Sequence, residues 1–237
     1  MLACAILCGG LATRLRPVTE KIPKSLIDIN GEPFIAHQLR LLHSNGIERV
    51  VLCAGYLGEM IERVVGDGAA FGVSASYSFD GDRLLGTAGA IRKALPSLGD
   101  KFFVLYGDSY LPCDYRAASA HFEDSGLQGL MTIYRNRDSF DSSNVEACDG
   151  RILRYDKRER TPAMQYIDYG LGVFRSSAFA QIPAGEHWDL AAVYQDLLVK
   201  GQLASFEVIQ RFYEIGSLQG IEDLKSYLRG SGVPRQA

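Results

Sequence analysis

Apolar and polar positions come in blocks along this chain, and the blocks change character near its middle. The runs "LACAIL" (2–7), "RVVLCAG" (49–55), "VSASYSF" (73–79) and "KFFVLYGD" (101–108) are short and rich in strand formers, and each predicts a β-strand. Between them lie segments of helical period. "PFIAHQLRLLHSNG" begins at Pro33 and stops at Gly46, with Phe34, Ile35, Leu39, Leu41 and Leu42 roughly on one face. "LGEMIERVVGDG" and "TAGAIRKAL" predict two more helices. Strand and helix in turn imply a mostly parallel sheet covered on both faces, with ligands at the carboxyl ends of the strands.

Beyond residue 112 the pattern differs. "LMTIY", "SNVEAC", "RILRYD" and "YIDYGLGVF" read as strands with few helices between them, and predict an antiparallel extension laid over the mouth of the parallel sheet. "DLAAVYQDLLVKG" and "SLQGIEDLKSYL" restore helices at the end. The expected fold is α/β: a Rossmann-like three-layer α/β/α arrangement with a mixed, mostly parallel sheet and a β-rich lid. One domain is expected over residues 1–237, an α/β half of nucleotide-binding type (1–112) followed by a β-rich lid half (113–237). No repeat, low-complexity tract or long linker argues otherwise.

Composition narrows the function. The net charge of −3 argues against a nucleic-acid binder that relies on bulk electrostatics. No apolar run approaches the ~20 residues of a membrane span. The start, "MLACAILCGG", lacks a basic leader, so a cytoplasmic protein is expected. Cys4, Cys8, Cys53, Cys113 and Cys148 show no CxxC spacing, which suits reduced, partly buried thiols better than a zinc site or a disulfide framework. His37, His43, His121 and His187 lie outside the glycine-rich and acidic motifs and are read as structural or surface residues.

The chemistry concentrates first in "ILCGGLATRLRPVTEKIPKSL" (6–26), where a strand ends in two glycines and Arg14, Arg16 and Lys24 follow around a Thr and two prolines. Glycines there let backbone N–H groups approach phosphate, and basic side chains neutralise it. On the glycine pair alone, an ordinary turn with solvated arginines serves as well. Neither a Walker loop nor GxGxxG is present.

The whole stretch, however, resembles the signature of the sugar-1-phosphate nucleotidyltransferases, GGxGTRLxPLT…PKxL, with Gly9, Gly10, Thr13, Arg14, Leu15, Pro17, Thr19, Pro23, Lys24 and Leu26 at matching positions and Ala12 replacing the third glycine. The resemblance implies that Leu7, Gly9, Gly10 and Thr13 bind the nucleotide, that Arg14 sits on its phosphates, and that Lys24 supports the α-phosphate. It extends to "LLGTAGAI", where Gly86, Thr87, Ala88 and Gly89 would contact base and ribose. Just upstream, Asp80 and Asp82 could accept from the N1 and N2 donors of guanine. It extends also to "FFVLYGDSYL", whose Asp108 would hold magnesium, and to "RFYEIGSL", where Glu214 stands in place of the usual second metal aspartate.

In "RILRYDKRERTP" the family's sugar-phosphate lysine corresponds to Lys157, although such a charged run is ordinarily a solvated edge. In "YIDYGLGVF" Tyr169 and Gly170 fall on the sugar side, with Asp168 and Tyr169 replacing the common Asn and Ala. The implied activity is magnesium-dependent transfer of a nucleotidyl group from a nucleoside triphosphate to a sugar 1-phosphate, releasing pyrophosphate. Arg14, Lys24 and Asp108 would be the catalytic groups. Among short bacterial members the chain looks most like the heptose-1-phosphate guanylyltransferases, which implies GTP and a heptose or hexose 1-phosphate, and homo-oligomers are frequent in the family. Two alternatives stay open: a cytidylyl- or uridylyltransferase with another phosphate or phosphonate acceptor, and a non-catalytic nucleotide sensor.

Overall fold

The computed structural model describes residues 1–10 and 21–230. In chain order the elements are β1 (Ala3–Leu7), β2 (Asp28–Ile29), β3 (Glu32–Pro33), α1 (Phe34–Ser44), β4 (Arg49–Ala54), α2 (Gly58–Val65), β5 (Ser74–Phe79), α3 (Gly86–Leu98), β6 (Lys101–Tyr106) and β7 (Ser109–Tyr110). There follow α4 (Tyr115–Ser125), β8 (Gly129–Tyr134), β9 (Val145–Cys148), β10 (Arg151–Tyr155), β11 (Ile167–Arg175), α5 (Leu190–Val199), β12 (Leu203–Val208), β13 (Tyr213–Glu214) and α6 (Leu218–Gly230). Among the described residues no helix is long and apolar enough to cross a membrane.

Seven strands form one sheet in the order β12-β8-β11-β6-β1-β4-β5. β1 lies parallel between β4 and β6, and β11 alone runs antiparallel to its neighbours β6 and β8. The strands at the centre are apolar on both sides because both faces are covered. Cys4 and Ile6 of β1 join Leu39 and Leu42 of α1, Ile61 of α2 and Phe122 of α4. Ala3 and Ala5 face the other way, onto Ile91 of α3 and Tyr194 of α5. A third, smaller core sets Ile221, Leu224 and Leu228 of α6 against Ile29, Phe34 and Tyr110.

The expected parallel first half and the three layers are therefore present. The lid is smaller than the pattern suggested: "LMTIY" and "YIDYGLGVF" are β8 and β11 and extend the main sheet, and of the four strand runs predicted there "SNVEAC" and "RILRYD" alone stand apart from it, as the β9–β10 hairpin. Beyond the two-residue strands β2, β3, β7 and β13, two longer elements had no counterpart in the sequence, α4 and β12. Asp114 caps α4 by accepting from the Ala117 N–H, and Gly126 (φ 66°) ends it.

Candidate active site

Two cavities open at the carboxyl ends of β1, β4 and β6. The first, about 510 Å³, is walled by Leu7, Gly9, Gly10, Lys24, Cys53, Asp80, Gly86, Thr87, Gly107 and His187, among others. The second, about 730 Å³, is walled by residues that include Asp141, Asn144, Lys157, Arg160, Asp168, Gly170, Phe212 and Glu214. Lys24, Tyr106 and Asp108 line both. That shared wall is where a group held in one cavity would meet a group held in the other.

Asp108 sits at this junction because β6 ends one residue before Gly107. The Gly107 N–H donates to the Leu7 carbonyl at 3.0 Å, and a Cβ on Gly107 would lie 2.5 Å from that same oxygen, so only glycine fits. The Asp108 carbonyl accepts from the Ile215 N–H at 2.9 Å. On the side chain, Lys24 Nζ donates to Asp108 Oδ2 at 2.9 Å and the Ser109 hydroxyl to Oδ1 at 3.4 Å.

Glu214 lies beside Asp108, since β13 pairs antiparallel with β7 and sets Glu214 opposite Ser109. Its Oε1 accepts from the Ser217 hydroxyl at 2.9 Å and its Oε2 from the Gly216 N–H, which among the described residues leaves each oxygen a lone pair. Two carboxylates on one wall form a hard oxygen donor set of the kind magnesium takes. Among the described residues no cluster of three or more His, Cys, Asp or Glu could hold a metal, so phosphate or water would have to complete the shell.

On the far side, Asp168 is 3% exposed and takes its hydrogen bonds from the Gly170 N–H (3.1 Å) and the Tyr155 hydroxyl (3.3 Å). Burial raises its pKa above the ordinary carboxylate value, against the opposing pull of Lys157 and these donors. Lys157 Nζ stands 4.0 Å from Asp168 Oδ2, donates to the Tyr106 hydroxyl at 3.3 Å and lies over the Tyr106 ring. Gly170 takes φ 101° where the chain turns past Asp168.

The resemblance places Tyr169 on the sugar side. It borders the second cavity, but at 2% exposure its ring packs against Tyr134 and Phe212 in the core, and its hydroxyl is closed off from solvent. The polar group offered to the cavity at this point is the Asp168 carboxylate.

The glycine-rich stretch also divides. Gly86 and Thr87 line the first cavity, whereas Ala88 and Gly89 are buried beneath a strap formed by residues 183–189. The Trp188 carbonyl accepts from the Ala88 N–H at 2.8 Å and the Gly89 N–H at 3.3 Å, and the Trp188 N–H donates to Leu85. Even the Thr87 hydroxyl is engaged: it donates to Asp189 and accepts from the Leu190 N–H at 2.7 Å. The first turn of α3 therefore caps itself on the strap and does not hold those donors out to a ligand.

The strap also carries His187, which in the sequence reads as a structural or surface residue, onto the cavity wall beside Gly86. No local signal marks it. Asp80 lines the same cavity, with Oδ2 bound by the Leu85 N–H at 3.2 Å and its pKa raised by burial, while Asp82 is exposed and off the wall. Thr13 and Arg14 lie outside the described residues.

Residues 4–229 match the Nucleotidyl transferase family, and the chain belongs to it. It is 41% identical over 224 residues to an N-acetylmuramate alpha-1-phosphate uridylyltransferase of Neisseria meningitidis, covering 93% of this chain and 96% of that protein. It is 30% identical over 244 residues to a UTP–glucose-1-phosphate uridylyltransferase of Synechocystis, covering 95% of this chain but only 62% of the longer relative.

Two solved structures share the fold. One is HddC from Yersinia pseudotuberculosis complexed with GMP-PN, with a TM-score of 0.80 at 24% identity, covering 96% of this chain and all of that one. The other is the inositol-1-phosphate CTP transferase of T. maritima, with a TM-score of 0.78 at 23% identity, covering 99% and 98%.

Proposed function

We propose that this protein transfers a uridylyl group from UTP to a sugar 1-phosphate, with N-acetylmuramate 1-phosphate as the best acceptor. The observation that carries the transfer is the junction itself: a glycine-walled cavity and a polar cavity meet at Lys24, Tyr106 and Asp108. The choice of UTP and of the acceptor rests on the Neisseria relative, whose length this chain matches almost throughout. A guanylyl reading has one observation in its favour. The Asp80 carboxylate, which lines the first cavity, could take the N–H donors of guanine.

In this mechanism the triphosphate lies in the first cavity with its phosphates over Gly9 and Gly10, and the sugar lies in the second with its phosphate beside Lys157. An acceptor oxygen attacks the α-phosphorus in line. The bond from that phosphorus to the bridging oxygen breaks, and pyrophosphate leaves with the electron pair. The acceptor monoester has a second pKa of about 6 and is mostly dianionic near neutral pH, so it needs no general base. Lys24, and Arg14 by resemblance, neutralise the oxygens on which charge accumulates. Asp108 and Glu214 would hold magnesium, which supplies further neutralisation of the phosphate oxygens. Five free thiols suit a reducing compartment, and we place the reaction in the cytoplasm.

The test is pyrophosphate release with magnesium, across ATP, GTP, CTP, UTP and dTTP against N-acetylmuramate, N-acetylglucosamine, glucose, mannose and heptose 1-phosphates, with phosphocholine and aminoethylphosphonate alongside. Turnover is expected with UTP and N-acetylmuramate 1-phosphate, and its loss is expected in Asp108→Ala and Lys24→Ala with folding retained. Turnover confined to another pair would replace the substrates. Turnover surviving both substitutions would overturn the site.

A further inference from the structure

Gln38 belongs to none of the motifs, lies on α1 and is completely buried. Its side-chain amide nitrogen donates to the Tyr106 carbonyl at 2.9 Å and to the Ser109 carbonyl at 2.7 Å. These two carbonyls flank Gly107 and Asp108, so a single NH₂ group brackets the turn that presents Asp108 to both cavities. Turning the amide over would set its oxygen against two carbonyl oxygens, which fixes the orientation. The other end of the amide gains nothing: Gln38 Oε1 is buried without a hydrogen-bond partner among the described residues. An apolar side chain would avoid that orphaned acceptor, so what the glutamine contributes is its hold on the turn.

From these contacts we infer that Gln38 is the positioning residue for Asp108. Three elements then fix the turn from three directions: β1 through the Leu7 carbonyl to Gly107, the Ile215 N–H to the Asp108 carbonyl, and α1 through Gln38. The first two hold one backbone group each. Gln38 sets the span between residues 106 and 109, and through it the direction of the Asp108 carboxylate. Tyr106 shares the effect, since its hydroxyl meets Lys157 in the second cavity.

The kinetic part of the test rests on the proposed nucleotidyl transfer, and the exchange part does not. Gln38→Leu removes both donors at similar bulk. Gln38→Asn keeps an amide that is one methylene too short to reach both carbonyls, and serves if the leucine variant does not fold. In either variant, hydrogen exchange at the Gly107 and Ile215 amides is expected to speed up roughly tenfold relative to core amides of β4, as befits lost local hydrogen bonds. Mn²⁺ binding, read from the free-ion EPR signal, is expected to weaken by about tenfold, as outer partners of metal ligands do when removed. In turnover, kcat should fall while KM for the triphosphate holds.

Unchanged exchange at Gly107 and Ile215 together with unchanged Mn²⁺ affinity, in a variant that is merely less stable, would overturn the inference and leave Gln38 a core residue. If the wild-type protein turns over no triphosphate, the functional reading fails on its own, and exchange at the two amides still decides the role of Gln38.

Discussion

Gly89 offers a direct test of whether the glycine-rich stretch serves the ligand or the packing. A Cβ built on it would lie 2.4 Å from the Glu186 carbonyl oxygen, 3.1 Å from Leu85 Cβ and 3.5 Å from the Trp188 nitrogen. The nearest atom is backbone, so in Gly89→Ala the strap must move off α3 by most of an ångström. Three hydrogen bonds depend on that contact: Ala88 and Gly89 N–H to the Trp188 carbonyl, and Trp188 N–H to the Leu85 carbonyl.

At about 1 kcal/mol each their loss costs ~3 kcal/mol. Alanine returns about 1 kcal/mol as the better helix former. The net destabilisation is about 2 kcal/mol, or a fall in Tm of about 4–8 °C for a chain of this size. Thermal unfolding followed by circular dichroism measures it, and UTP affinity measured on the same sample should fall only modestly as His187 shifts on the cavity wall. An unchanged Tm combined with a more than tenfold loss of UTP affinity would refute the reasoning, and would mean that Gly89 faces the nucleotide.

Three further outcomes are expected. A Cβ on Gly10 meets nothing within 4 Å among the described residues, so Gly10→Ala should leave Tm unchanged yet weaken triphosphate binding, and calorimetric titration giving equal affinities would remove the phosphate from that loop. Cys4, Cys8, Cys53 and Cys113 are buried, the last two with pKa values pushed up to about 12 chiefly by burial, whereas Cys148 is exposed; a thiol reagent should therefore titrate one cysteine in the native protein and five in denaturant. Asp168, its pKa raised by burial, stabilises the fold while protonated and loses that contribution as pH rises through its folded-state pKa. The urea midpoint of the wild type relative to Asp168→Asn should therefore decline from about pH 4 upwards, and a difference that grows with pH would show the Lys157 pairing to outweigh burial.

The parallel half was legible because strands covered on both faces read as unbroken apolar runs, as "LACAIL" and "KFFVLYGD" do. The same property marks β11, buried along seven of its nine positions, yet which neighbours a strand takes is decided by contacts far apart in the chain, and β11 went into the sheet and not over it. The helix α4 escaped because only Tyr115, Ala118 and Phe122 of its eleven residues are buried, too sparse a stripe among polar positions. On the cavity walls, Lys24, Asp108, Lys157 and Glu214 stood in motifs whose spacing is local. Gln38 and His187 were not, since Gln38 meets the Asp108 turn across 68 and 71 residues and His187 reaches the cavity only on a strap from the other half of the chain.

That strap joins the starts of α3 and α5 through one hydroxyl, with Thr87 donating to Asp189 and accepting from Leu190, while Asp189 in turn caps α5 at Ala191. The starts of the two helices are thus tied to each other across about a hundred positions. If the proposed function holds, grafting the second half of a relative onto this first half would import a new strap wall for the first cavity along with a new second cavity. Two-fragment reassembly cut near residue 112 should restore both helix starts together or neither. In such hybrids, the choice of triphosphate and the choice of sugar would travel as linked traits.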